Sequence, residues 1–175
     1  MDDVQLNRAL NVILIIVLIA AVVTTIVVII IPREGEKFTE FYILGRNGTA
    51  ADYPKDLVGG YMEQVFIGIG NHEYRNTTYV VEVWWTNMTF NATTNTTLVR
   101  RMENLDQFSV SLMHNETYQA PFRFIPSATG FNQLTFLLFK DTAPPDSLTR
   151  YERINSSYRN LHLWITVKPP FESYT

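Results

Sequence analysis

The sequence predicts an all-β domain, an immunoglobulin-like antiparallel β-sandwich of seven or eight strands, preceded by one transmembrane α-helix. Three observations carry this prediction. Residues 10–31 contain no charged side chain, apolar and polar residues alternate in short runs from residue 38 onward, and turn-forming residues separate those runs. Many short strands with turn signals between them are typical of a two-sheet sandwich. A small β-barrel is the alternative that the same pattern allows.

The apolar segment is long enough to cross a membrane. As an α-helix, twenty-two residues extend ~33 Å, and a bilayer core is ~30 Å thick. The segment exceeds the apolar core of a signal peptide and its N-terminal flank is hardly basic, which predicts an uncleaved signal anchor. Ala20 and Thr24 would let a second helix approach closely, although ordinary lipid-facing packing explains them as well.

The amino-acid composition excludes several classes of functional site. The chain has no cysteine, which excludes disulfides, cysteine-ligated zinc and thiol catalysis, and its absence favours a prokaryotic or archaeal surface. Net charge is −3 without a basic patch, so no nucleic acid partner is expected. His72, His114 and His162 lack the spacing of a metal site, and no nucleophile turn or phosphate loop occurs. The sequence therefore predicts no cofactor, no metal and no enzymatic activity.

Asparagine sequons predict the topology. Seven Asn-x-Ser/Thr sequons all lie after the apolar segment, more than turn composition alone accounts for. They begin at Asn47, Asn76, Asn87, Asn91, Asn95, Asn115 and Asn155. Covalent N-glycans would place the C-terminal domain outside the cell and the N-terminus in the cytoplasm. The predicted parts are a cytoplasmic N-terminus (1–9), the helix in the lipid bilayer (10–31), a juxtamembrane linker (32–37), the extracytoplasmic sandwich (38–168) and a C-terminal tail (169–175).

The strands follow in order along the domain. Alternation predicts strands at 38–44, 61–69, 77–86, 98–102, 107–112, 118–124, 133–140 and 161–167. Runs 77–86 and 133–140 are apolar on both faces, which indicates central strands. Asn47-Gly48 predicts a hairpin, and 70–76 a hairpin loop.

Three further stretches complete the domain. Residues 87–97 are predicted to form an exposed polar hairpin end or edge, and residues 126–130 a turn. Residues 148–160 have the three-to-four-residue spacing of a short helix or form an irregular crossover. Trp84, Trp85 and Trp164 either form a sugar-stacking platform or pack in the core, and core packing is favoured for at least two of them.

Several blocks in order resemble a known family. These are residues 32–45, 52–54, 71–76, 114–117 and 161–164, and they are similar to the archaeal domain-of-unknown-function 1616 family. The resemblance implies an archaeal membrane protein whose domain lies outside the cell and is commonly N-glycosylated. The family has no established activity, so the resemblance implies no catalytic residue. Many relatives carry several membrane helices ahead of this domain, whereas one such segment occurs here.

Two polar loops are the candidate interaction patch. If both lie at one end of the sandwich, His72, Tyr74 and Arg75 would meet His114 and Glu116; the alternative is that these residues cap turns. The sequence predicts a non-enzymatic, single-span surface glycoprotein, a membrane-proximal module that contacts a protein partner or itself in the envelope. The alternatives are an accessory subunit of a membrane complex handling glycans or secretion, and a carbohydrate-binding domain.

Overall fold

The computed structural model describes residues 3–30, 35–126 and 130–170. Contacts divide the chain into two compact units, Met1–Glu36 and Lys37–Thr175, and each is described by itself. Outside the described residues lie the first two residues of the predicted N-terminus, residue 31, the first half of the predicted linker, the middle of the predicted turn at 126–130 and the end of the predicted tail.

The first unit contains helix α1, Asp3–Ile30. Its segment Gln5–Ile30 has a mean hydropathy of 3.5, so the helix is long and apolar enough to cross a membrane. The hydroxyl groups of Thr24 and Thr25 donate to the carbonyl oxygens of Ala20 and Ala21 at 2.7 and 2.8 Å. Both threonines therefore satisfy their polar groups within the helix itself.

The described residues of the second unit form strands and one short helix. In chain order the elements are β1 (Phe38–Leu44), β2 (Asp56–Val58), β3 (Glu63–His72), β4 (Thr77–Asn91), β5 (Thr96–Leu112), β6 (Thr117–Phe124), β7 (Gln133–Lys140), α2 (Arg150–Ser156), β8 (Arg159–Trp164) and β9 (Thr166–Lys168). One sheet has the order β1-β3-β6 and the other β5-β4-β7-β8, both antiparallel; β2 pairs in parallel with β9.

The core lies between the two main sheets. Alternate residues of β3, β4 and β7 are fully buried and form one apolar cluster: Val65, Ile67, Ile69, Tyr79, Val81, Val83, Leu134, Phe136 and Leu138. Side chains of period two from two facing sheets define a sandwich, because each strand turns one face inward. The predicted immunoglobulin-like antiparallel sandwich is confirmed.

The two strands predicted to be central, β4 and β7, are indeed central in the four-stranded sheet. Their second apolar face is covered by a smaller cluster formed by Val80, Met102, Leu137 and Phe139, against which Ile154 of α2 packs. The helix therefore closes part of the outer face of this sheet.

The hairpin predicted at Asn47-Gly48 is wrong. Gly48 does adopt a left-handed turn with φ 72°, and its N–H donates to the carbonyl of Gly45 at 3.0 Å. However, β1 pairs with β3, and the intervening chain contributes only the short strand β2. A local turn signal does not determine the strand partner, because pairing follows the burial of strand faces.

Three further boundaries differ from the sequence prediction. The 70–76 segment is a crossover between sheets and not a hairpin loop, since β3 and β4 belong to different sheets. The predicted strands 98–102 and 107–112 are one strand, because a register shift opposite Val83 and Trp84 absorbs the break in alternation. The predicted strand 161–167 divides at buried Ile165, whose N–H donates to Asn132 O at 3.0 Å as β9 leaves the sheet.

Candidate functional site

Two crossover loops meet at one end of the sandwich. Residues 71–76 lead from β3 into β4, and residues 113–116 lead from β5 into β6. The N–H of Asn71 donates to the carbonyl of Glu116 at 3.0 Å, and the N–H of Asn115 donates to the carbonyl of Asn71 at 2.7 Å. The two loops are therefore hydrogen-bonded to each other, and the structure brings the five predicted patch residues to the same end.

The buried side chain of Asn71 holds the two loops in this arrangement. It is fully buried, and its Nδ2 donates to the carbonyl oxygens of Arg75 and Leu112, both at 2.8 Å. Its Oδ1 accepts from the N–H of Glu73 at 3.0 Å and from the Tyr79 hydroxyl at 3.2 Å. One buried amide thus uses its donors and acceptor to hold the loop, which limits the freedom of the exposed residues above it.

A buried carboxylate lies beside Asn71. Oε1 of Glu73 accepts hydrogen bonds from the Thr39 hydroxyl at 2.7 Å and from Lys140 Nζ and the Tyr158 hydroxyl, both at 3.1 Å. Desolvation opposes ionisation, yet these hydrogen bonds and the charge of Lys140 hold the pKa of Glu73 below its ordinary value. Burial raises the pKa of the adjacent Tyr79 phenol. Lys140 thus neutralises the charge of the Glu73 carboxylate, and this hydrogen-bonded ion pair supports the loops.

His72 lies at the outer side of this cluster. Its ring stacks on Phe38 with centroids 4.5 Å apart, its Nδ1 is 3.1 Å from Asn115 Oδ1, and its Nε2 is 3.5 Å from a carboxylate oxygen of Glu40. The imidazole is half-buried and contacted on its face and at both nitrogens. It links the start of β1 to the 113–116 loop.

Tyr74 and His114 form a second ring pair. Their ring centroids are 4.4 Å apart, and the Tyr74 N–H donates to His114 Nδ1 at 3.2 Å. An accepting Nδ1 requires that the neutral imidazole carries its proton on Nε2. Tyr74 has φ 56°, the left-handed conformation, and remains exposed. A backbone bond and a ring contact thus hold this exposed aromatic side chain.

Arg75 and Glu116 complete the patch. Arg75 forms a two-bond ion pair with exposed Asp141 at 3.1 and 2.7 Å. These hydrogen bonds raise the pKa of Arg75 and lower that of Asp141. Glu116 Oε2 accepts from the Met113 N–H at 2.8 Å, the turn-capping contact that the alternative interpretation expects. We call His72, Tyr74, Arg75, His114 and Glu116 the end surface; its role in binding stays a prediction.

Sequence reasoning missed Asn71, Glu73 and Tyr158. In sequence, the first two are ordinary turn residues and the third lies in the 148–160 segment with helical spacing, and no local signal separates them from solvent-exposed neighbours. Among the residues that the structure describes, no group of three or more His, Cys, Asp or Glu side chains is placed to hold a metal ion.

The three tryptophans have three different environments. Trp85 packs in the core against Phe124, with ring centroids 5.7 Å apart. Trp84 is half-buried on the outer face, where its indole N–H donates to Glu82 at 2.9 Å. Trp164 is 58% exposed. Core packing therefore holds for Trp85 but not for Trp164.

The sequons differ in accessibility. The asparagines that are exposed are Asn47, Asn76, Asn95, Asn115 and Asn155. Asn87 and Asn91 are half-buried, and the Nδ2 of Asn87, the atom that would carry a glycan, donates to the carbonyl of Gly130 at 2.5 Å. Asn95 lies in the turn of the β4–β5 hairpin, which confirms that residues 87–97 form a hairpin end.

The fold and the site define an immunoglobulin-like β-sandwich that follows an apolar helix long enough to cross a membrane. The chain belongs to the family described as Domain of unknown function (DUF1616), whose model matches residues 32–166. The predicted resemblance to this family is confirmed. A comparison with curated proteins found no match.

Solved structures include distant likenesses. The CARDB domain of a Pyrococcus furiosus protein, crystallised with di-metal ions, is 12% identical over 78% of this chain and 97% of that domain, with a TM-score of 0.43. A β-glucosidase from Listeria innocua in complex with glucose is 14% identical over 76% of this chain, with a TM-score of 0.42. This chain spans only 16% of that enzyme. Neither likeness carries information on what this chain binds or does.

Proposed function

We propose that this chain is a non-enzymatic, single-span module of the cell surface, whose end surface contacts a protein partner or a second copy in the envelope. The observation that carries the proposal is the end surface itself. Buried Asn71 and Glu73 hold exposed polar and aromatic side chains in one arrangement. A preorganised surface loses less conformational entropy on binding than a free loop does.

The chemistry of the end surface supports recognition. Tyr74 and Arg75 belong to the residue types that contribute most binding energy at protein interfaces. Both are exposed and fixed by contacts, Tyr74 against His114 and Arg75 against Asp141. Such residues supply contact area with little side-chain freedom left to lose.

Photo-crosslinking in native membranes tests the proposed surface. A photoreactive phenylalanine analogue replaces Tyr74 in one variant and Tyr61 in a matched control. Tyr61 is 59% exposed and precedes β3, whereas Tyr74 follows its other end. We expect adducts from position 74 that are absent from position 61.

The identity of the adduct refines the function. A dominant foreign partner makes the chain an accessory subunit of a membrane complex, and a self-adduct makes it a structural module. Equal labelling from the two positions, or none from position 74, contradicts the assignment of the end surface.

We propose an orientation with the N-terminus in the cytoplasm and the sandwich outside, where exposed sequons carry N-glycans. The chain has no cysteine, so single-cysteine variants give maleimide labelling without background. Both Asn7 and Ser109 are exposed. On intact cells we expect an impermeant maleimide to label Ser109→Cys, and to label Asn7→Cys only after lysis. The reverse pattern would refute this orientation.

Glycan mapping by mass spectrometry tests the modification separately. We expect occupancy at Asn95, whose side chain is exposed in a turn, and an unmodified Asn87, whose Nδ2 is hydrogen-bonded to Gly130 O. Unmodified asparagine at all seven sequons in the native protein would overturn the glycoprotein proposal.

A further inference from the structure

The outer face of the four-stranded sheet contains a hollow of about 400 Å³. It lies between the β4–β5 hairpin and β8, next to Ile154 of α2. The register places Gln133 opposite Trp164 and Thr135 opposite His162, so these four side chains share one face of the sheet. This is the face opposite the core. The helix α2 covers another part of it and leaves this part open.

Two aromatic side chains line the hollow and remain exposed to solvent. Phe90 is 62% exposed and Trp164 is 58% exposed. His162 contacts the Trp164 indole edge-on, with ring centroids 5.7 Å apart and planes at 85°, which supports the orientation of the indole. Exposed aromatic rings in a concave site are a common feature of ligand-binding surfaces.

One polar atom that lines the hollow, the amide nitrogen of Gln133, has no protein partner among the described residues. Gln133 is only 3% exposed, and its Oε1 lies 3.5 Å from the Thr86 hydroxyl. Within the described part of the chain, Gln133 Nε2 donates to no protein atom. Every fully buried side-chain nitrogen or oxygen there has a hydrogen-bond partner, so Nε2 is not fully buried. The amide nitrogen therefore keeps access to the hollow that it lines. A ligand oxygen in the hollow would satisfy this donor.

Among the described residues, the lining of the hollow carries no charged side chain, since no lining residue is Asp, Glu, Lys or Arg. Next to Gln133, the Thr135 hydroxyl is 2.8 Å from that of Thr86, and exposed Asn160 offers a second amide. The site thus combines aromatic rings with neutral donors and acceptors. An ionic ligand would find no counter-charge there, and a purely apolar side chain would leave the Gln133 amide without a partner.

We propose that this hollow binds a neutral sugar residue of a glycan. A pyranose ring has an apolar C–H face, which stacks on aromatic rings, and hydroxyl groups, which hydrogen-bond to amides. The volume is near the lower end of small-molecule sites, which suits one sugar unit. Thr97 also lines an adjoining hollow of about 1000 Å³ beside Leu98 and Tyr151, so a longer glycan has room to continue.

Glycan binding by the full chain tests this proposal. The protein is produced in a host without N-glycosylation and kept in a detergent without a sugar headgroup, because a glycosidic detergent would compete. An array of neutral and charged oligosaccharides identifies a ligand, and isothermal titration calorimetry measures its affinity for each variant without relying on Trp164 as the reporter. We expect neutral glycans to bind and Trp164→Ala to weaken binding at least tenfold, whereas Trp164→Phe keeps a stacking surface and retains most of it.

Further variants separate the site from general effects. Gln133→Leu removes the amide donor of a buried residue. Asn160→Ala changes an exposed side chain, so this substitution should not disturb folding. We expect both to weaken binding several-fold, while Tyr61→Ala, at an equally exposed aromatic outside the hollow, leaves it unchanged. Tighter binding by the unglycosylated chain than by the native one would mean that the protein's own glycans occupy the hollow.

Three results would overturn the proposal. They are no neutral glycan bound above the level of Trp164→Ala, equal affinity in the Trp164→Ala variant and the Tyr61→Ala control, and binding restricted to charged glycans. None of these results bears on the end surface, which is tested by crosslinking from a different part of the domain.

Discussion

Replacement of Arg153 by methionine should destabilise the domain severely. Arg153 lies in α2 and donates two hydrogen bonds to Glu82, both at 2.8 Å, while Glu82 itself is fully buried in the middle of β4. This pairing raises the pKa of Arg153. Methionine fills much of the same volume but leaves the Glu82 carboxylate in the interior without its counter-charge.

The magnitude follows from the geometry of the pair. Removing one partner of a buried ion pair costs about 3–5 kcal/mol, because the other charge stays desolvated. Arg153 also donates to the carbonyl of Pro145 at 3.2 Å, and its guanidinium lies 5.4 Å from the Trp84 ring centroid. A seven-residue helix has little stability of its own, so α2 depends on these contacts. For a domain of this size, we expect the melting temperature to fall by about 10–15 °C.

Chemical denaturation followed by tryptophan fluorescence measures the effect. The double variant Glu82→Leu/Arg153→Met removes both charges and should recover most of the lost stability, since an apolar pair often replaces a buried ion pair without loss. Arg150→Met, an exposed position in the same helix, is the control and should change stability little. A loss below about 1 kcal/mol for Arg153→Met, or a double variant no more stable than the single one, would refute this reasoning.

Three smaller effects are expected in the same denaturation assay. The pKa of Glu73 lies below its ordinary 4.5, so its carboxylate stabilises the fold above that pH and the contribution is lost on acidification; Glu73→Gln should flatten this pH dependence. Thr149→Ala removes the N-cap of α2 and should cost about 1 kcal/mol, and an unchanged midpoint would argue against the cap. Gly68→Ala would place a Cβ 2.1 Å from the Tyr42 ring, at a cost of about 1–3 kcal/mol that an additional Tyr42→Ala should reduce.

Most strands could be predicted because alternation is a local property. In β4, the sequence alone assigns Tyr79 and Val81 to one face and Val80 to the other, and apolar residues on both faces identify a central strand. The strand partners could not be predicted in the same way. The Asn47-Gly48 signal produced the expected turn, but β1 pairs with β3 because that register buries its inner face.

In the candidate site, too, some residues could be predicted from local sequence and others could not. Residue type and predicted loop position were enough to select Tyr74 and His114, because turn segments are recognised from their local sequence. Glu73 could not be separated from a solvent-exposed acid. Its burial depends on Thr39, Lys140 and Tyr158, which lie 34, 67 and 85 residues away along the chain.

By itself, the sequence determined the apolar helix, the β-rich composition of the following domain and its family, because hydropathy, alternation and ordered motifs are properties of neighbouring residues. The tertiary structure alone decided three features: the meeting of the two loops, the position of the Gln133 amide nitrogen in a hollow with exposed aromatic rings, and the burial of Glu82 under Arg153. Each depends on residues distant in the chain. Whether a polar side chain is solvated or buried is set by what packs over it, and local sequence does not contain that information.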